Sequence, residues 1–201
     1  MLEQIGRGGM GVIYSAYDEQ LDRKIAVKVL LDEYQDEGVR ARLLREAQAL
    51  ARLSHPNVIT IHEVGEHEGE LFLAMEFVHG HSLAEWSETK PGWREVLEVF
   101  VQAGRGLAAA HRANLVHRDF KPHNVMRASD GSVKVLDFGL AHAHDIELTS
   151  ADGATGASPL SSMLTVSGAV IGTPRYMAPE QHAGEVADGR ADQYSYCVAL
   201  W

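Results

Sequence analysis

The spacing of apolar positions changes character along this chain. In the first part, Val12-Ile13-Tyr14 and Ile25-Ala26-Val27-Lys28-Val29-Leu30 are rich in β-branched residues and bounded by turn-forming or charged positions, which predicts strands. Over residues 39–53 the period shifts: Leu43, Ala47 and Leu50 recur at i, i+4 and i+7, the spacing of an amphipathic helix, with Arg42, Arg45 and Glu46 on the polar face. Ser54-His55-Pro56-Asn57 stops that helix, because proline disfavours helical backbone in the residue before it. Two strands, 58–64 and 71–78, are then predicted as a hairpin across the acidic connection 65–70.

Beyond His79-Gly80 the pattern becomes helical. Val96, Phe100, Ala103, Leu107 and Ala110 mark one stripe of a long helix over residues 93–113. Short strand pieces, Val125-Met126 and residues 133–136, bracket the turn Ser129-Asp130-Gly131, and residues 190–201 read as a helix with no stop signal. Residues 149–168 are Ser, Thr, Gly, Ala and Pro with few large side chains, so they bury too little surface to offset their ordering entropy and are expected to form a mobile loop. The fold class predicted is α+β, a β-rich part giving way to a helix-rich part near residues 78–82.

Composition changes this picture little. The chain has 201 residues, 45% hydrophobic and 23% charged, with 18 Lys+Arg against 28 Asp+Glu for a formal charge of -10. That balance argues against a nucleic-acid partner, which requires a basic face. The single cysteine, Cys197, makes no internal disulfide, which favours a reducing, cytoplasmic setting. No apolar run reaches the length of a membrane span in this window.

Candidate chemistry changes it more. Gly6-Arg7-Gly8-Gly9-Met10-Gly11-Val12 is a GxGxxG-V pattern, in which residues without a Cβ let backbone N–H groups approach phosphate oxygens. A tight hairpin turn satisfies the same pattern. A dinucleotide fold does not, because these glycines lead into a strand rather than a helix. Lys28 sits mid-strand among apolar neighbours, and Glu46 in the helix that follows; singly they read as surface charges, and together as an ion pair fixing an amine beside phosphates. In His117-Arg118-Asp119-Phe120-Lys121-Pro122-His123-Asn124, Asp119 is an acceptor for a hydroxyl proton, Lys121 a cation for a transferred phosphoryl group and Asn124 an amide ligand for Mg²⁺. Asp137-Phe138-Gly139 places a second oxygen ligand at a strand end.

Together with Gly172-Thr173-Pro174-Arg175-Tyr176-Met177-Ala178-Pro179-Glu180, these motifs stand in the order of the eukaryotic-like protein kinases, and the chain resembles that superfamily over essentially its whole length. The resemblance implies a two-lobed fold, a small antiparallel β-sheet lobe with one helix (1–78) and a mainly helical lobe (79–201) that lacks the family's final helices. It implies ATP and Mg²⁺ (or Mn²⁺) as cofactors and transfer of the γ-phosphate to protein hydroxyls. On that pattern Asp119 is the base, Lys121 steadies the γ-phosphate, Lys28 and Glu46 pair, Thr173 bridges Asp119 and Lys121, and Asn124 and Asp137 hold metal. Ile5, Gly6, Gly8, Gly9, Gly11, Val12 and Lys28 face the nucleotide. Ala26 lies above adenine with Val12, Met126 lies below it, Met75 is the gatekeeper, and Glu76 and Val78 offer backbone hydrogen bonds. Leu50, Ile61, His117 and Phe138 form a stacked spine anchored by Asp192.

Lys121 and the Gly-Thr to Ala-Pro-Glu segment resemble serine/threonine rather than tyrosine kinases, and the wording of the motifs is most similar to the bacterial branch. The resemblance further implies protein substrates, autophosphorylation at Thr165 and Ser167 with Arg118 as the receiving cation, a kinase homodimer for that reaction in trans, and room for a membrane anchor downstream of Trp201. Cys197 departs from the family's glycine. With both ends of the domain cut, the 201 residues alone are expected to be unstable or weakly active. Two rival readings are a pseudokinase, disfavoured by the presence of Lys28, Asp119, Asn124 and Asp137, and a small-molecule phosphotransferase, which lacks the Ala-Pro-Glu segment.

Overall fold

Strand β3 (Arg23–Leu30) shows how the alternation is used: Ala26, Lys28 and Leu30 share one buried face while the residues between them are less covered. In this computed structural model, which describes residues 3–8, 11–30, 37–138 and 174–201, β3 is the middle of a five-stranded antiparallel sheet. Its neighbours are β1 (Glu3–Gly8), β2 (Gly11–Asp18), β4 (Ile61–His67) and β5 (Glu70–Glu76), in the order β1-β2-β3-β5-β4. β4 and β5 are joined through Glu68 and Gly69, both at positive φ (53° and 88°), the backbone of a tight two-residue hairpin turn. Helix α1 (Glu37–Ala51) packs the predicted stripe Leu43, Ala47 and Leu50 into the core, each at most 2% exposed.

The hairpin's first strand starts three residues later than the sequence predicts. Val58 and Ile59 leave the five-stranded sheet for another partner: Val58 bridges Val135, the Ile59 N–H donates to the Val135 carbonyl, and the Val135 N–H donates to that of Asn57. The buried Asn57 amide adds a bond to the Val133 carbonyl at 2.9 Å. Backbone groups taken out of water must find partners, and here the available ones lie on a different sheet.

That second sheet contains β6 (Gly80–Ser82), β7 (Val125–Ala128) and β8 (Val133–Val135), all antiparallel. Between β6 and β7 run α2 (Leu83–Ser87) and α3 (Trp93–Arg112). The short α2 escapes the apolar pattern but not the capping pattern, since Ser82 and Glu85 cap it reciprocally in the Ser-x-x-Glu spacing. Phe100, Ala103, Leu107 and Ala110 of α3 are buried as predicted, and Val96 packs at the edge of the same core. After the undescribed residues 139–173 come α4 (Pro179–His182) and α5 (Gly189–Leu200), the latter capped by the Asp188 carboxylate. The predicted loop 149–168 lies outside the described residues. Among them, no helix is long and apolar enough to cross a membrane. The architecture is α+β, an antiparallel β-sheet part with one helix followed by a mainly helical part, as the resemblance implied.

Candidate active site

A single buried carboxylate organises the segment that runs from His117 to Asn124. Asp192 of α5 is fully buried and accepts three hydrogen bonds at 2.7 Å: from the backbone N–H of His117 and of Arg118, and from Nε2 of His111 near the end of α3. Arg118 has φ 64°, a left-handed conformation that costs a non-glycine residue about 1 kcal/mol. The Asp192 bond on its N–H and a 2.7 Å bond from the Gln181 amide to its carbonyl hold it there. His117 is buried beside them. Its Nε2 contacts the Leu136 carbonyl at 2.7 Å and its Nδ1 accepts from the Asp119 N–H at 3.3 Å, a combination that fits the Nε2-protonated tautomer. Its ring lies 4.8 Å from that of Phe138, and Leu50, Ile61 and Phe138 share one apolar core.

Asp119 is thereby turned toward its partners. Its carboxylate lies 2.7 Å from the Lys121 ammonium and 3.1 Å from the Asn124 amide nitrogen, which also donates to the Asp119 carbonyl at 2.8 Å. The Asn124 carbonyl accepts from the Leu136 N–H at 2.9 Å, linking this cluster to Asp137. Asp137, also left-handed at φ 55°, lies 2.8 Å from the Lys28 ammonium. Burial alone raises the Asp137 carboxyl, but the charge and hydrogen bond of Lys28, with His117 and Lys121 nearby, bring its pKa below the ordinary carboxylate value. Lys28, Asp119, Lys121, Asn124 and Asp137 are thus tied into one connected cluster.

One expected contact is replaced. Lys28 bonds to Asp137, and the Glu46 carboxylate lies 3.5 Å from Arg118 instead of reaching Lys28. Where the sequence leads one to expect a Lys28–Glu46 pair, this arrangement has Lys28 on Asp137. With two carboxylates as possible partners for one buried amine, the one beyond strand β8's end is in reach, and Glu46 lies beside the Arg118 guanidinium.

The other predicted residues frame the same region. Ala26 and Met75 stand opposite each other between β3 and β5, both under 9% exposed; Glu76 ends β5, Val78 follows it, and Met126 lies on β7. Ile5 is 49% exposed on β1. The glycines divide. A Cβ on Gly11 would meet the Val29 carbonyl oxygen at 2.2 Å, so close strand packing excludes a side chain there whatever binds nearby. A Cβ on Gly8 would meet nothing within 4 Å, and one on Gly6 only ordinary contact with Ile13. Gly11→Ala is expected to cost about 1–3 kcal/mol of stability, read as a lower melting temperature, while Gly8→Ala melts like the parent; equal melting temperatures for the two variants would contradict this. Gly9, Thr173, Thr165 and Ser167 lie outside the described residues.

Gln181 and His111 escaped the sequence reading. Gln181 directly follows the Ala-Pro-Glu segment, and His111 lies on the helical turn that leads toward His117, but nothing in their spacing identifies the Arg118 carbonyl or Asp192 as their partners.

The protein kinase domain model matches residues 1–201. A probable serine/threonine-protein kinase of Streptomyces coelicolor is 40% identical over 204 residues, covering 98% of this chain and 28% of the relative. The serine/threonine-protein kinase PrkC of Bacillus subtilis is 34% identical over 204 residues, covering 100% and 29%. Among solved structures, the PknI kinase domain of Mycobacterium tuberculosis superposes with a TM-score of 0.73 at 29% identity, over 98% of this chain and 70% of that one. The chain therefore spans under a third of the length of those two curated relatives. A match to the domain model over all 201 residues, with the segment around His117 and Arg118 folded about a buried aspartate, makes this chain a member of the protein kinase family.

Proposed function

We propose that the protein to which this chain belongs transfers the γ-phosphate of ATP to serine and threonine hydroxyls of proteins, with residues 1–78 and 79–201 as the small lobe and part of the large one. The observation that carries this reading is the Asp119 carboxylate held between Lys121 and Asn124 and linked to the Lys28–Asp137 pair. The serine/threonine names of the bacterial relatives support the acceptor class.

In this mechanism Asp119 accepts the proton of the incoming hydroxyl as its oxygen bonds to the γ-phosphorus. The bond from that phosphorus to the bridging oxygen breaks, and its electron pair leaves with ADP. Lys121 offsets charge on the moving phosphoryl group, and Lys28 steadies the phosphates that remain. The donor set fits a magnesium ion. Asn124 spends its amide nitrogen on Asp119, which leaves an oxygen as its donor, and Asp137 adds a carboxylate. When bound there, the ion supplies positive charge beside the phosphate oxygens. Adenine is placed between Val12 and Ala26 above and Met126 below, beside Met75, with backbone contacts from Glu76 and Val78. Ile5 and the glycine loop, Gly6, Gly8, Gly9 and Gly11, cover the phosphates.

Lys28 then pairs with Glu46 in the working form, which requires Glu46 to leave Arg118. Autophosphorylation at Thr165 and Ser167, in trans between two copies, supplies a phosphate that competes for Arg118, and Thr173 bridges Asp119 and Lys121. The test is incubation of the full-length protein with labelled ATP and Mg²⁺, followed by phosphosite mapping. Absence of label on protein, or label that Asp119→Asn leaves unchanged, overturns the proposal.

A further inference from the structure

Glu76 ends β5, where the chain leaves the five-stranded sheet, and the nucleotide reading above gives a role to its backbone alone. Its side chain is also engaged. One carboxylate oxygen accepts from the Thr60 N–H and from the Lys134 ammonium, each at 2.8 Å, while the Glu76 N–H donates to the Thr60 carbonyl at 2.9 Å. The ionic partners are partly withdrawn from water, with side chains 26% and 17% exposed, so their attraction is less screened than that of a surface pair.

The three contributors come from different elements. Lys134 belongs to β8 of the three-stranded sheet, Glu76 to the five-stranded sheet, and Thr60 to the segment between α1 and β4 that is itself bonded to β8. Lys134 also stands directly opposite Met126 in the β7–β8 register, and paired residues project from the same face of a sheet. It therefore connects the residue placed beneath adenine to the residue placed at adenine's edge. The next residue is covered too, since the Lys24 ammonium lies 4.0 Å from the centre of the Phe77 ring.

We propose that Lys134 is a positioning residue for the purine nucleotide: by gripping the Glu76 carboxylate it fixes the 76–78 backbone that receives the adenine edge. The inference rests on the ATP reading above. Such a residue acts equally on bound substrate and transition state, so its loss raises KM for ATP and leaves kcat in place.

The experiment uses full-length protein, steady-state kinetics and direct titration with a fluorescent ADP analogue. Lys134→Met is expected to raise KM for ATP and the Kd for the analogue together, about tenfold, the change produced by losing one good polar contact, with kcat within about twofold. Lys134→Arg, which keeps the charge and a donor, restores both constants. Glu76→Gln raises them as Lys134→Met does, and the double variant is no worse than either single one, because the two act through one contact; should Lys134→Met fail to fold, Glu76→Gln carries the test. Unchanged KM and Kd in both Lys134→Met and Glu76→Gln, a changed kcat at constant KM, or a Lys134→Arg as impaired as Lys134→Met overturns the inference. A parent protein that binds no nucleotide overturns the ATP reading instead.

Discussion

Asp119→Asn is expected to lower the phosphoryl-transfer rate at saturating ATP by about 10²–10⁴-fold, the usual contribution of a positioned general base, while nucleotide affinity stays within about twofold. The substitution is nearly isosteric. The Asn124 amide retains its bond to the residue 119 carbonyl, so the local backbone keeps its anchor. What disappears is a proton acceptor and the negative partner of Lys121, whose ammonium lies 2.7 Å from the carboxylate. Single-turnover kinetics with a nucleotide titration separates the two effects. A variant that transfers phosphate at the parental rate removes Asp119 from the mechanism, and one that loses nucleotide binding in proportion to rate assigns it a role in binding instead.

The largest effect on stability is expected at Asp192. Its carboxylate is fully buried and satisfies two backbone N–H groups and an imidazole nitrogen. Asp192→Ala leaves two backbone N–H groups and the partly exposed His111 imidazole without their shared acceptor and is expected to cost about 3–5 kcal/mol. Asp192→Asn preserves shape but converts one acceptor oxygen into a donor facing a donor, so it should cost about 1–3 kcal/mol. Denaturant midpoints of the folded kinase protein measure both. A cost below that of Asp192→Asn for the alanine variant would mean that water replaces the lost carboxylate. Activity should fall in both, since the left-handed backbone of Arg118 loses one of its two restraints, the other being Gln181.

Much of this was legible in the amino-acid order. The helical stripes of α1 and α3 follow from period alone, because a core-facing helix must bury residues three and four apart. The cluster around Asp119 was legible because Asp119, Lys121 and Asn124 are close in sequence and one turn brings them together. Contacts between distant segments were not. Val58 and Ile59 are apolar and β-branched in a run that continues into β4, and nothing local says that they bond to β8 rather than to β5. The partner of Glu46 depends on how α1 sits against Arg118, a geometric matter that composition does not encode. Gly11 carried the right residue for a second reason, since close packing on Val29 explains it without any phosphate.

The stitch between residues 57–59 and β8 has a bearing on how the molecule assembles. Val58 and Val135 are far apart in the chain, and closing that distance costs configurational entropy before any contact repays it. The strand that follows, β4, pairs with β5 through its own tight turn, but its lead-in is held by a strand made much later in the chain. Separation of the two sheets and unravelling of that margin are consequently coupled events, so protection of the amides at the start of β4 against hydrogen exchange should report on β8 as well as on the sheet to which β4 belongs.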